Sequence, residues 1–233
     1  MDKFVKLGQD MVLLWSKYKV MYWAGIWNTL KLAFLATLIG CFIGLLCGVL
    51  NTIPYTKKDP LPKRFLLKLL RIIIRIYVEV FRGTPMVLQS VFIYYGLPYF
   101  SNNALRFDNI FAAALLIVAI NTGAYMAESV RGGIISIDPG QTEGAKAIGM
   151  THVQTMLYVI LPQALRNIMP QIGNNLIINI KDSCVLSVIG VAELLYKTKS
   201  AAGALYMNFE TYTITMIVYF IMTFTCSRIL RWL

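Results

Sequence analysis

Three asparagines, Asn174, Asn175 and Asn179, interrupt a largely apolar segment between Gln163 and Ile180. Positions 175 and 179 are one helical turn apart and share a face, with 174 beside it. A side-chain amide both donates and accepts, which suits the ammonium and carboxylate of a zwitterion. Its plainer use is hydrogen bonding between helices, worth ~0.6 kcal/mol each on average. Both uses stay open, and Gln89 joins the group as a further amide in an apolar stretch. Two spaced charge pairs complete the set, Glu79 with Arg82 and Glu128 with Arg131. Residues three apart meet on a helix surface, so these read as structural ion pairs ahead of ligand contacts. Charges are costly in lipid, by ~2.5–3.5 kcal/mol at least, which makes every such residue a site candidate. No catalytic group assembles: His152 is the lone histidine, and no metal spacing or Gly-x-Ser-x-Gly occurs.

These residues need helices in a membrane to position them. The chain has 233 residues, 58% of them hydrophobic and 14% charged, with mean hydropathy +0.64. A soluble domain carries about 25% charged residues. The net charge of +11 fits basic loops on the inner side of a membrane and calls for no nucleic acid. Cys41, Cys47, Cys184 and Cys226 form no Cys-x-x-Cys pair and read as small hydrophobes. Met1–Lys19 mixes charge into its apolar residues, so no cleavable signal peptide is expected.

Residues 1–22 read as an N-terminal interfacial segment: Phe4, Leu7, Met11, Leu14 and Trp15 recur at helical spacing. Residues 23–233 read as the transmembrane domain, with about five spans at ~20 residues each. The first span is placed at Trp23–Leu50, where Gly40, Gly44 and Gly48 leave a smooth groove for another helix. Asn51–Arg75 is the most basic stretch and is assigned to the inner side. A helix then runs in through Ile72–Phe81, breaks at Gly83-Thr84-Pro85 and resumes over Met86–Leu97. Further spans are expected at Asn109–Val130, Gln163–Ile180 and Thr211–Ile229, with Lys181-Asp182 marking a helix end. Glu193–Glu210 reads as a polar re-entry or outer loop. Five spans put the N-terminus outside, against the lysines before the first span.

Between Glu143 and Pro162 the chain reads EGAKAIGMTHVQTMLYVILP. A short helix from Glu143 to Ile148, a left-handed turn at Gly149 and a second helix over Thr151–Val159 are predicted. Thr151 is an N-cap with Gln154 three residues on. The order Glu143-Gly144-Ala145, Gly149, Val159, Leu161-Pro162 resembles the EAA loop of ABC importer permeases, with Gly144 and Val159 departing from the usual alanine and isoleucine. Tyr77–Pro85, Ala124–Ile134, Ser136–Gln141 and Lys181-Asp182-Ser183 are similar to the polar amino acid branch, the histidine/glutamine/arginine type.

The resemblance implies an all-α membrane protein of the type I ABC importer permease fold, with a coupling helix-turn-helix at about 136–162. It implies a multi-pass subunit of the bacterial cytoplasmic membrane that is not itself an enzyme. Glu143, Gly144, Ala145, Gly149, Met150 and Pro162 would dock a separate ATPase subunit, which would bind ATP and Mg. Other implied partners are a second permease, identical or not, an extracellular substrate-binding protein, an amino acid and lipid. The chain has no phosphate-binding Gly-Lys-Ser/Thr loop of its own. Similar permeases often carry an acid where Asn175 stands, so the cargo reads as a neutral polar amino acid, with a cationic or sulfur-containing solute as the alternative. Outside the family, the competing reading is a secondary transporter or channel.

Overall fold

A computed structural model describes residues 2–57 and 59–232, and only the backbone of Asp2. Met1, Lys58 and Leu233, the first and last positions of the expected segments and one lysine of the basic stretch, lie outside the described residues. Among the described residues every regular element is helical and no strand occurs.

Helix α1 spans Asp2–Thr52. It passes position 22 without a break, so the boundary expected there has no counterpart in the backbone. Leu14 and Tyr22, from the segment read as interfacial, are buried in a core cluster. The helix ends one residue before Ile53-Pro54, because a proline disfavours helical geometry in the residue preceding it. Helix α2 spans Leu61–Gly83, with Pro62 in its first turn, where a missing N–H costs nothing. It stops where predicted: Thr84, which precedes Pro85, is extended at φ −120° and ψ 147°.

Helix α3 (Met86–Val91) continues through a wide π turn, Phe92–Gly96, into α4 (Leu97–Phe100). Helix α5 spans Ile110–Ile135, and the Asn109 side chain caps it by accepting from the Phe111 and Ala112 amides at 2.8 and 3.3 Å. Helices α6 (Pro139–Ala147) and α7 (His152–Gln154) follow. A second π turn, Thr155–Ile160, leads into α8 (Leu161–Asp182). The chain then tightens into a 3-10 turn at Ser183–Ile189, and α9 (Leu194–Leu205) and α10 (Asn208–Trp232) complete it. The segment expected as a polar loop, Glu193–Glu210, is thus mostly the helix α9.

Among the described residues three helices are long and apolar enough to cross a membrane: α1, α5 and α10. A fourth crossing counts if the pair His152–Ile189 and Leu194–Leu205, bent by 53° at the break, is one broken span. The second expected span is not among them. Lys68, Arg71, Arg75, Glu79 and Arg82 put too much charge on α2.

Contacts divide the chain into two units. One comprises Met1–Ala36, Met86–Val118 and Leu176–Leu233, the other Thr37–Pro85 and Ala119–Asn175. The first has a core of Leu14, Tyr22, Ile180, Leu194, Ile214 and Val218. The second packs Met126, Val130, Ile134, Ile160, Ala164 and Ile168. Within it the glycine stripe does what its spacing predicts: a Cβ at Gly40, Gly44 or Gly48 would lie 2.6, 2.3 or 2.5 Å from atoms of Thr122, Met126 or Val130. Only glycine allows α1 and α5 to approach so closely.

Candidate functional site

The coupling segment is a helix-turn-helix built almost entirely from local signals. Asp138 caps α6, its carboxylate accepting from the Gly140 amide at 2.6 Å, and Pro139 fills the first helical position. The helix therefore starts four residues before Glu143, the expected beginning. Its end is a Schellman turn: the Gly149 amide donates to Lys146 at 2.9 Å and the Met150 amide to Ala145 at 3.1 Å. Gly149 has φ +84°, a conformation that side chains bearing a Cβ resist. Thr151 and Gln154 then form a complete capping box, with bonds of 2.8 and 3.3 Å.

The second helix does not end at Val159. It runs from His152 through the π turn into α8, and Pro162 does not break it. The i→i−5 bond from Leu161 to Met156 widens the turn just before the proline, where its ring would otherwise strike the preceding turn. Gln163 secures this joint by donating to the Val159 carbonyl at 2.7 Å and to Gln141 at 3.2 Å. Ala145, Thr155 and Ile160 are buried where α6 packs on the π turn. Glu143, Gly144, Gly149 and Pro162 are exposed, and Met150 is half-buried. Two large apolar side chains, Ile148 at 80% and Val153 at 63% exposed, flank the turn without cover. A Cβ at Gly144 would meet nothing within 4 Å, so the departure from alanine there is sterically neutral.

The break at Gly83-Thr84-Pro85 is also explained. Pro85 has no N–H to give the Phe81 carbonyl, and the Asn121 amide supplies one from α5 at 3.2 Å. Tyr77 adds a 2.6 Å bond to the Ile120 carbonyl. Of the two expected ion pairs, Glu128–Arg131 forms at 2.6 Å. Glu79 and Arg82 do not pair. Arg82 lies over the Tyr125 ring instead, 5.5 Å from its centroid, because a guanidinium can stack where a carboxylate three residues away is not aligned.

The asparagines separate. Asn174 is exposed, while Asn175 and Asn179 are buried on the same side of α8. Asn175 donates to the Met126 sulfur at 2.9 Å, so that amide is engaged within its own unit. Gln89 is buried on α3. Reasoning from sequence missed Glu193, which is fully buried. Its carboxylate caps α9, accepting from the Leu195 and Tyr196 amides at 2.8 and 2.6 Å and from the Tyr219 hydroxyl at 2.7 Å. Thr29 and Asn28 bind the backbone of Leu194 and Ala192 at 3.2 and 2.8 Å. The one available signal was an acid between Gly190 and the apolar Leu194-Leu195.

Residues 60–233 match the family described as binding-protein-dependent transport system inner membrane component. The glutamine transport system permease protein GlnP of Escherichia coli (strain K12) is 37% identical over 90% of this chain and 94% of its own length. The arginine transport system permease protein ArtQ of Bacillus subtilis (strain 168) is 33% identical over 85% of this chain and 84% of its own. Among solved structures, an amino acid ABC transporter crystallised with histidines superposes with a TM-score of 0.81 at 38% identity, covering 94% of this chain and 95% of that one. The MetNI methionine ABC transporter shares the fold, with a TM-score of 0.68 at 21% identity over 92% of this chain and 97% of that one. These similarities, the apolar helices and the exposed helix-turn-helix agree, and the chain belongs to the binding-protein-dependent inner membrane components, the multi-pass permease subunits of ABC importers.

Proposed function

We propose that this chain carries a neutral polar amino acid across the bacterial cytoplasmic membrane as one permease of an ATP-driven importer. ATP and Mg belong to separate ATPase subunits, which dock on the segment around Glu143–Pro162. A second permease and an extracellular substrate-binding protein complete the assembly. The observation that carries this reading is the coupling segment. Its caps and Schellman turn hold it rigid, and its apolar tip at Ile148 and Val153 is exposed. ATP would close the ATPase dimer, the docked segments would move together, and the permease would alternate between outward and inward access. Family membership counts against a secondary transporter or a channel.

Gly149→Pro tests the lever. Proline fixes φ near −65°, opposite in sign to the +84° of the turn. Co-purification of the ATPase subunit and ligand-stimulated ATP hydrolysis are both expected to fall at least ~10-fold, a loss of about 1.4 kcal/mol or more. Full activity of the variant, or a tagged wild-type chain that brings down no ATPase subunit, would overturn the docking assignment.

The cargo assignment rests on Asn175 and on similarity to the glutamine permease. An amide supplies no negative charge for a cationic side chain. Asn175→Glu is expected to raise competition by arginine or lysine roughly tenfold, since a hydrogen bond to a charged group is worth about 1.5–3 kcal/mol. An unchanged competition profile over the amino acids would remove Asn175 from the cargo path. The 33% identity to an arginine permease keeps a cationic cargo as the second reading.

A further inference from the structure

The polar stripe of α2 has no part in the reading above. Arg64, Lys68, Arg71, Arg75, Glu79 and Arg82 follow at steps of three or four, which keeps them on one side of a helix. The stripe is roughly 27 Å long at helical rise. On one flank lies the buried face of Leu67, Ile74 and Val78. On the other lies an apolar face whose Leu66, Ile72, Ile73 and Ile76 are each more than half exposed.

Four of the stripe's cations, with Arg131 of α5, line a cavity of about 840 Å³, against only Glu79 and Glu128. Glu128 is engaged by Arg131 at 2.6 Å. Arg71 is held by the Ile53 carbonyl at 2.6 Å and by the Tyr55 ring at 4.6 Å. Lys68 and Arg75 are exposed and make no hydrogen bond or ion pair among the described residues. The cavity therefore carries surplus positive charge. Its rim is hydrocarbon: Ile72 and Ile135 line it and stand 55% and 63% exposed.

Surplus cations around a cavity call for an anion, and an exposed apolar rim calls for chains. A free phosphate would meet the first demand and leave the second unmet. We propose that this cavity is a binding site for an anionic phospholipid. The phosphate sits against Lys68, Arg71 and Arg75, and the acyl chains lie along Ile72, Ile76 and Ile135. The assignment does not depend on which solute the importer carries.

The test titrates the purified importer complex with dioleoyl-phosphatidylglycerol and, separately, with dioleoyl-phosphatidylcholine, reading bound lipid by native mass spectrometry. The wild type is expected to prefer phosphatidylglycerol. Lys68→Gln with Arg75→Gln is expected to weaken phosphatidylglycerol about 30-fold, given two basic side chains at a membrane surface, and to leave phosphatidylcholine unchanged. Lys57→Gln with Lys63→Gln removes the same charge outside the cavity and is expected to retain the preference. Arg75→Lys keeps the cation and is expected to keep the lipid, which guards against misreading a folding defect. Equal loss in the outside pair would mean diffuse charge and overturn the site, as would wild-type affinity in the cavity pair. Displacement by millimolar inorganic phosphate at constant ionic strength would reassign the cavity to a small anion. Displacement by glutamine would place it on the cargo path instead, and either result overturns the lipid assignment.

Discussion

Replacing Glu193 by alanine is expected to destabilise the protein by about 2–4 kcal/mol, more than any substitution in the coupling segment. The carboxylate accepts from two amides of the first turn of α9 and from the Tyr219 hydroxyl of α10, at 2.6–2.8 Å. Alanine takes this acceptor from all three donors and empties a fully buried side-chain position. It also opens the joint at which the chain bends by 53°, where Gly190 takes φ +90°. Glu193→Gln keeps one oxygen as an acceptor and is expected to lose about half as much. The measurement is the free energy of unfolding in mixed micelles of detergent and SDS, with transport read alongside. If Glu193→Ala unfolded at the wild-type midpoint, the capping bonds would contribute nothing and the joint would be held by packing alone. Tyr219→Phe removes only the hydroxyl and is expected to cost about 1–2 kcal/mol, leaving the α9 cap in place.

Gly44→Leu is the second substitution with a large expected effect. A Cβ at Gly44 would sit 2.3 Å from the Met126 Cβ, 2.8 Å from the Met126 carbonyl carbon and 2.9 Å from the Ala127 nitrogen. Two of those atoms are backbone and the third is fixed to it, so no rotamer relieves the overlap. Helices α1 and α5 must separate. Overpacking costs about 1–3 kcal/mol, which sets the expectation for Gly44→Ala, and the bulkier leucine is expected to exceed that range and abolish assembly. Met126 also accepts the hydrogen bond from Asn175, so the smaller Gly44→Ala change is expected to disturb that bond before it unfolds the chain. Gly8→Ala is the contrast. Nothing lies within 4 Å of its Cβ, and helix propensity predicts a gain of up to about 1 kcal/mol there. Similar stability for Gly44→Leu and the wild type would show that the close approach of α1 to α5 is dispensable.

Much of the coupling segment was legible because its determinants are local. A capping box needs residues three apart, and a Schellman turn needs glycine just past a helix, so Thr151, Gln154 and Gly149 declare themselves in one dimension. The break before Pro85 follows from covalent geometry in the same way. The glycine stripe is nearly local: its period marks a groove, though not the helix that fills it.

Where partners are distant in sequence, the reading ran out. Glu79 and Arg82 have the spacing of a pair, yet Arg82 takes the Tyr125 ring. Asn175 and Asn179 share a face as their spacing predicts, but the Met126 sulfur that Asn175 bonds lies 49 residues away. Pro162 looks like a helix end, and a π turn before it lets the helix continue.

The sequence by itself determined the lipid setting, the helical class, the helix breaks and the left-handed turn at Gly149, because composition and short-range sterics act within a few residues. Tertiary structure alone decided that Gly44 faces Met126, that Asn121 replaces the amide Pro85 lacks, and that Glu193 takes the Tyr219 hydroxyl of α10. Each of those depends on which buried polar group finds a partner 26 or more residues away, or on which helix fills a groove. That choice is made by the whole fold, since a buried donor without an acceptor is too costly to leave, and the acceptor comes from wherever packing brings one.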